Sequence, residues 1–297
     1  MAMNRSLRTR VWSAFRPLIQ RASRAYVAGA DLSSALRVSR ELQDHGVACT
    51  LCYWDGSDDR PESTAGQYSN ILEAFSQKRI DGYLSVKAPA LQYSRALFGE
   101  LLDEARRQRV RMHFDALSPE SAAPTFSLIR DLRPRDGDIG CTLPGRWRRS
   151  VADVDRAIEL GLVARVVKGQ WVDPEDPQRD PRAGFLDIID GLAGKARGVA
   201  VATHDATLAR EALMRLQASK TPCELELLFG LPARKSLPVA MDLAVPVRYY
   251  VPYGSAWLPY ALGQLKENPR IAWWAIRDVL VPTPEASALP ALRFSKR

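Results

Sequence analysis

The sequence predicts an α/β protein of the (β/α)8 class, a TIM barrel that is preceded by an N-terminal helical arm. Two observations support this fold. Eight apolar segments of strand length recur along the 297 residues, and a stretch long enough for a helix separates each from the next. The segments begin roughly every 25 to 35 residues, which is typical of βα units on a parallel sheet, and eight such units close into a barrel.

The predicted strands are rich in β-branched and aromatic residues and are bounded by turn or charged residues. In chain order they are VACTLCYW (47–54), GYLSVKAP (82–89), VRMHFDA (110–116), DIGCTLP (138–144), ARVVKG (164–169), GVAVATH (198–204), CELELLFG (223–230) and VRYYVPYG (247–254). Apolar residues at helical spacing predict helices over 68–78, 93–107 and 151–160, with Ser150 as the N-cap of the last.

A doubly wound parallel sheet is the alternative fold. No G-x-G-x-x-G follows a predicted strand, and no G-x-x-x-x-G-K-[ST] loop occurs in the sequence, so the barrel is favoured. The segment 173–182 is rich in Pro and Asp, but strand spacing resumes after it, so we interpret it as one long loop. We therefore divide the chain into an arm (1–30), a barrel (31–285) and a tail (286–297).

The net charge of +8 is concentrated at the amino terminus. Residues 1–30 hold six arginines and no acidic residue, so six of the eight net charges lie there and the rest of the chain carries +2. A nearly neutral body does not indicate a nucleic-acid partner. For the arm we favour a solvated amphipathic helix, and a transit segment or a helix on a membrane surface stays open.

The sequence indicates a cytosolic protein, with peripheral membrane contact through the basic arm as the other possibility. No run approaches the roughly 20 apolar residues of a membrane span, and no signal-peptide core follows Met1. The four cysteines show no disulfide framework, so free thiols are expected. Cys49 and Cys52 resemble half a zinc site, but residues three apart on a strand face opposite sides, and we predict no metal.

Ionisable and polar residues occur at the carboxyl ends of the predicted strands, where a barrel of this class builds its active site. They are Lys87, Asp115, Arg165, Lys168, Thr203, His204 and Tyr250. Unpaired buried charges are costly, so this convergence favours a ligand site over packing. The alternatives are a structural ion network of Asp115 with Lys87 or Arg165, and a capping role for His204. We interpret His113 as a packed residue.

The same strand ends carry a family resemblance. The segments LSVK (84–87), HFDA (113–116), RVVKG (165–169), ATH (202–204), ELELLFG (224–230) and YVPYG (250–254) followed by Trp257 and Tyr260 occur in an order that resembles the flavin-dependent proline dehydrogenase family. The resemblance implies a distorted (β/α)8 barrel with noncovalent FAD above the strand ends. It also implies an oxidoreductase of proline metabolism that passes a hydride from a cyclic amine to flavin N5 and leaves a cyclic imine, with a quinone as a typical electron acceptor.

The resemblance also implies roles for individual residues. The catalytic set is Asp115, Arg165 and Lys87, with Arg165 beside flavin N5 and Asp115 positioning Lys87 and Arg165. Contacts to the cofactor are expected from Ala116, Arg165, Lys168, Gly169, Gln170, Thr203 and His204, the last near the phosphates or the ribityl chain. The substrate wall is expected from Lys87, Leu228, Tyr250, Tyr260, Gln264 and Trp171.

The chain departs from the family pattern at three places. The paired arginines that bind the proline carboxylate are replaced by Gly263 and Gln264, and the glutamine of the fourth strand is replaced by Pro144. Gln170 and Trp171 stand where the family has Ala-Tyr. We therefore predict a proline-like cyclic amine whose carboxylate is masked, absent or bound by Lys87 or Gln264.

Two other functions remain open at this point. The barrel would serve as a binding or structural relative if it had lost oxidation. Alternatively, Lys168 would form a Schiff base with a carbonyl substrate, with Asp115 as a proton shuttle.

Overall fold

The computed structural model describes residues 28–254 with the exception of residues 57 and 136. Within that part, eight parallel strands form a closed barrel in which each strand pairs with its neighbours in sequence and β8 pairs with β1. The predicted (β/α)8 class is therefore confirmed. Most of the predicted arm, the predicted tail, and Tyr260, Gly263 and Gln264 lie outside the described residues.

Helices and strands alternate along the described chain. In order, the elements are α1 (Leu32–Asp44), β1 (Ala48–Tyr53), α2 (Pro61–Lys78), β2 (Gly82–Val86), a 3₁₀ turn (Ala88–Leu91), α3 (Arg95–Gln108), β3 (Arg111–Phe114), α4 (Pro119–Asp131), β4 (Ile139–Pro144), α5 (Ser150–Glu159), β5 (Val163–Val167), α6 (Pro181–Leu192), β6 (Val199–Ala202), α7 (Ala206–Ala218), β7 (Cys223–Leu228), α8 (Leu237–Asp242) and β8 (Val247–Tyr253). Each of the eight predicted runs contains, within one residue at its start, one of these strands.

Two predicted helix starts are wrong. The helix predicted over 68–78 is α2, which begins earlier, at Pro61. Ser150 is not the N-cap of α5 but its first residue, while Arg149 takes the N-cap position without a capping side-chain bond. The Ser150 hydroxyl is buried and has no hydrogen-bond partner among the described residues. Asp153 in the first turn binds Arg149 at 2.8 Å and Arg156 at 2.7 Å, so this helix start is stabilised by ion pairs.

The strands alternate between an apolar outer face and a polar inner face. Leu84, Val166 and Val201, for example, are fully buried and belong to the core that packs under the helices. Residues one position away, such as Ser85 and Arg165, bond to side chains of other strands across the barrel interior. Because side chains alternate along a strand, a chain that buries its helices on one face places these polar groups inside.

The amino-terminal end of the barrel is filled by a buried arginine. Arg248 binds Glu224 at 3.0 Å and the Cys49 carbonyl at 2.8 Å. Its guanidinium also lies 3.4 Å from the ring centre of Tyr83, and that of Arg111 lies 4.1 Å from the same centre. This packing fills the bottom of the barrel, and the cavity described below lies at the opposite end.

None of the described helices is both long and apolar enough to cross a bilayer.

Candidate active site

A cavity of about 540 Å³ opens at the carboxyl ends of the strands, within the size range of ligand pockets. Its described lining residues come from the end of every strand or from the loop that follows it, and β4 to β8 also contribute residues of the strand itself. They are Trp54, Asp55, Lys87, Asp115, Ala116, Leu117, Thr142, Pro144, Trp147, Arg165, Val167, Gly169, Gln170, Trp171, Ala202, Thr203, His204, Glu226, Leu227, Leu228 and Tyr250. The structure thus brings together at one mouth all the described residues predicted for the site, apart from Lys168.

Arg165 on β5 is the central cation of the cavity, and its side chain is only 5% exposed. Its Nε and one terminal nitrogen donate to the two carboxylate oxygens of Glu226 at 2.7 and 2.8 Å. The other terminal nitrogen donates to Asp115 at 2.7 Å. Burial opposes the charge of Arg165, but the carboxylates of Glu226 and Asp115 outweigh it and raise the pKa of this guanidinium. Arg165 is therefore a rigidly held, permanent cation.

Asp115, just after β3, joins several strands through one carboxylate. One oxygen accepts bonds from Ser85 at 2.7 Å and from Arg165, and the other accepts the Tyr250 hydroxyl proton at 2.8 Å. The placement agrees with a positioning role toward Arg165. Burial and the neighbouring Asp115 carboxylate raise the pKa of Tyr250 well above its usual value, so this tyrosine remains a neutral donor.

Lys87, in contrast, is bound by a residue that the sequence analysis did not single out. Its ammonium lies 2.7 Å from an Asp55 carboxylate oxygen, in the loop after β1, and 6.0 Å from the ring centre of Trp54. Of the two ion pairs considered for Asp115, the one with Arg165 is present, whereas Lys87 pairs with Asp55 instead. Burial favours the neutral amine, but the electrostatic effects of Cys52 and Asp55 reverse this and raise the pKa of Lys87.

His204 lines the cavity, but both of its ring nitrogens are used within the protein. Nε2 accepts the backbone N–H of Leu228 at 2.9 Å, so Nδ1 carries the proton and donates to the Pro232 carbonyl at 3.1 Å. Burial lowers the pKa of His204, in agreement with this neutral form. The helix after β6 is capped by Asp205 rather than by His204. In this geometry His204 holds β6 and β7 together and offers a ligand its ring rather than a hydrogen bond.

The loop after β5 separates two residues that the sequence analysis grouped together. Gly169 lines the cavity with φ +91°, and a Cβ there would lie 2.8 Å from Cβ of Pro144, so glycine is required. The Lys168 side chain turns away, is 44% exposed and binds Asp205 at 3.3 Å. An exposed, paired lysine lacks the desolvated setting that activates Schiff-base lysines, so the lyase alternative loses its support.

Aromatic and apolar groups form the walls of the cavity. Trp147 donates its indole N–H to the Trp171 carbonyl at 2.9 Å, which ties the loops after β4 and β5 together. Trp171 is 46% exposed at the rim, and the ring centre of Tyr250 lies 5.1 Å from the Arg165 guanidinium. Flat apolar walls around a fixed cation suit a conjugated ring such as the flavin isoalloxazine. Pro144 offers that ring no N–H donor.

Sequence reasoning missed Asp55, Glu226, Trp54 and Trp147. For Glu226 a signal was present, because Glu224 and Glu226 alternate on a predicted strand and must share its inner face. Asp55 lies in a loop with several other acids, and nothing in the sequence distinguishes it from them.

Comparisons with known proteins agree with this architecture and indicate which enzymes the chain is similar to. No family model matches the chain. "Proline dehydrogenase 1" from Bacillus subtilis subsp. natto is 23% identical over 280 residues, which cover 87% of this chain and 90% of that protein. "Proline dehydrogenase" from Deinococcus radiodurans is 23% identical over 276 residues, with 86% and 89% covered. Both alignments thus run through the barrel and its strand ends.

The chain is similar to proline dehydrogenases over most of its length.

Solved structures share the fold of this chain. Proline utilization A (PutA) from Bdellovibrio bacteriovorus, inactivated by N-propargylglycine, superposes with a TM-score of 0.72 at 15% identity over 86% of the chain. PutA from Corynebacterium freiburgense superposes with a TM-score of 0.70 at 18% identity over 99% of the chain. The chain spans about a third of the length of these PutA chains, 33% and 37% respectively.

Proposed function

We propose that this chain is a flavin-dependent oxidoreductase that converts a proline-like cyclic amine into the cyclic imine. The observation that carries the proposal is Arg165, held between Asp115 and Glu226 at the floor of an aromatic-walled cavity at the strand ends. Unlike the packed Arg248 pair at the other end of the barrel, Arg165 and both of its carboxylates line an open cavity, which favours a ligand role. Sequence similarity supports the same reaction class, since the curated relatives are named proline dehydrogenases.

The described residues fit the ring portion of FAD, which would be held without a covalent bond and would supply the acceptor for the hydride. Ala116, Arg165, Gly169, Gln170, Thr203 and His204 line the part of the cavity assigned to it. The permanent charge of Arg165 favours the extra electron density of a reduced ring. We expect the buried Trp147 to limit the access of water to the bound ring from its side of the cavity.

The described residues perform little acid–base chemistry in this proposal. Arg165 and Tyr250 both have raised pKa values, so neither takes a proton from the substrate at neutral pH. Hydride departure from the ring carbon requires the lone pair of an unprotonated amine. We propose that Asp115 and Tyr250 orient that amine, while Leu228 and Lys87 border the ring.

For the substrate, we propose a cyclic secondary amine whose carboxylate is masked or replaced. Gly263 and Gln264 cannot form the bidentate ion pair that two arginines give a carboxylate, although an amide still donates hydrogen bonds. We expect slow turnover of L-proline and faster turnover of prolinamide or a proline ester. Saturable proline oxidation at millimolar concentration, with no gain from masking the acid, would contradict this.

The visible spectrum of the purified protein tests the flavin. We expect flavin absorption that bleaches when a cyclic amine is added anaerobically. A colourless protein whose melting temperature and flavin fluorescence do not change on addition of FAD would refute the oxidoreductase and leave the binding or structural role. A quinone acceptor and membrane contact through the arm stay predictions from the sequence.

A further inference from the structure

The Lys87 ammonium forms an ion pair with a carboxylate of the protein. Lys87 ends β2, and its side chain reaches across the mouth of the cavity to Asp55 at 2.7 Å. The two side chains are only 14% and 24% exposed, so water screens the pair weakly. This ion pair therefore differs from the exposed pairs on the outer helices, whose contribution is small.

Arg165, the other cation that lines the described part of the cavity, is also ion-paired with carboxylates of the protein. Arg165 donates its three short bonds to Glu226 and Asp115. Among the described lining residues, three carboxylates thus face two basic side chains, and each basic side chain already has a carboxylate partner. A ligand carboxylate that enters the cavity therefore finds, among its described lining residues, no cation that is not already paired.

If such a ligand displaced Asp55 from Lys87, the total number of ion pairs in the cavity would not increase, because the exchange replaces one carboxylate by another. It also leaves the Asp55 charge half-buried, unpaired and close to the incoming anion, which is unfavourable on both counts. A ring amine without a free carboxylate avoids this repulsion.

We propose that Asp55 is a specificity-determining residue: by holding the Lys87 amine, it makes the cavity discriminate against ligands with a free carboxylate. The reaction in which this selectivity acts rests on the proposed function, but the discrimination itself is a property of binding. It is therefore measured without turnover.

The experiment compares Asp55→Asn with the full-length parent protein. Asparagine keeps the size and one oxygen acceptor but removes the charge, which frees the Lys87 ammonium for a ligand. The probes are cyclopentanecarboxylate, an anionic ring, and pyrrolidine, a ring amine without a carboxylate. Binding is measured by calorimetry and by quenching of tryptophan fluorescence, since Trp54, Trp147 and Trp171 line the cavity.

Asp59→Asn is the matched control. Asp59 lies in the same loop and accepts bonds from the Tyr53 hydroxyl and the Gly56 N–H, but it neither binds Lys87 nor lines the cavity. The double variant Asp55→Asn/Lys87→Met tests whether any gain depends on the lysine. Circular dichroism and thermal melting establish that each variant is folded.

We expect Asp55→Asn to bind cyclopentanecarboxylate about tenfold more tightly than the parent, as one new charge-assisted bond allows. Pyrrolidine affinity should not rise, Asp59→Asn should behave like the parent, and the double variant should lose the gain. The proposal is overturned if the parent already binds cyclopentanecarboxylate as tightly as Asp55→Asn does, or if the gain persists without Lys87. If Asp55→Asn does not fold, Asp55→Ser replaces it, with the same expected gain and the same refuting results.

The outcome is separate from that of the proposed function. A protein that binds no flavin and oxidises no amine can still show the Asp55-dependent change in carboxylate binding. Conversely, a confirmed oxidase in which Asp55→Asn leaves carboxylate binding unchanged would refute only the role of Asp55.

Discussion

Replacing Glu226 by glutamine tests whether the Arg165 cluster serves a ligand or only the fold. Glu226 makes two of the three short bonds to Arg165 and accepts a third bond from Thr50 at 3.0 Å. Glutamine has nearly the same shape, but one of its terminal atoms is a donor that faces the donors of Arg165. One ionic bond is lost, and the other becomes a bond to a neutral oxygen.

The cost follows from the bonds that change. A hydrogen bond to a charged group contributes about 1.5–3 kcal/mol, and the bond that remains is weakened because its acceptor is no longer charged. Glu226→Gln should therefore lower the free energy of unfolding by about 3 kcal/mol. Because Arg165 keeps only Asp115 as an ionic partner, its guanidinium should also shift. A misplacement of this kind near a reacting centre lowers kcat/KM by about 100-fold.

Glu224→Gln is the matched control, since Glu224 lies two residues earlier on the same strand and binds another buried arginine, Arg248, at 3.0 Å. It does not line the cavity. We expect a loss of stability of about 2 kcal/mol in urea denaturation, with FAD affinity and kcat/KM within about twofold of the parent. Equal losses of FAD affinity and turnover in both variants, or in neither, would refute a ligand-directed role for the Arg165 cluster.

Three further predictions concern single features of the fold and the cavity. Gly169→Ala should lower the free energy of unfolding by about 1–3 kcal/mol because of its positive φ and close packing, and more than Gly161→Ala, whose surroundings are open; urea denaturation measures both. Burial lowers the pKa of His113 and of His204. The unfolded chain therefore binds protons that the folded one does not, and stability should fall by up to about 1.4 kcal/mol per pH unit for each histidine as the pH drops below about 6.5; a flat profile between pH 7 and 5.5 would contradict this. Trp171→Ala should change stability by less than about 0.5 kcal/mol but weaken FAD binding in fluorescence titrations, and an unchanged affinity would remove Trp171 from the cofactor wall.

The strand ends show which features of the site could be predicted from the sequence. Lys87, Asp115, Arg165 and Tyr250 were predicted to meet because the carboxyl ends of parallel barrel strands share one face. The structure places all four around one cavity. Their pairing was not predictable in the same way, since Lys87 takes its partner from a loop 32 residues earlier in the chain.

His204 shows the same limit for a single side chain. Its position at a strand end was readable from the sequence, and a ligand contact or a helix cap was expected. Its two ring nitrogens instead join Leu228 and Pro232, more than 20 residues away. Such bonds depend on where the next strand and its loop are placed, which periodicity does not encode.

The sequence by itself determined the eight strands, their alternation with helices and the polar character of the strand ends, because these follow from local spacing of apolar and polar residues. Only the tertiary structure decided which carboxylate holds which cation. Glu224 and Glu226 occupy the same face of one strand, yet they bind Arg248 and Arg165, respectively. That choice depends on how the strands are staggered when the barrel closes, and the stagger is fixed by packing between residues far apart in the chain.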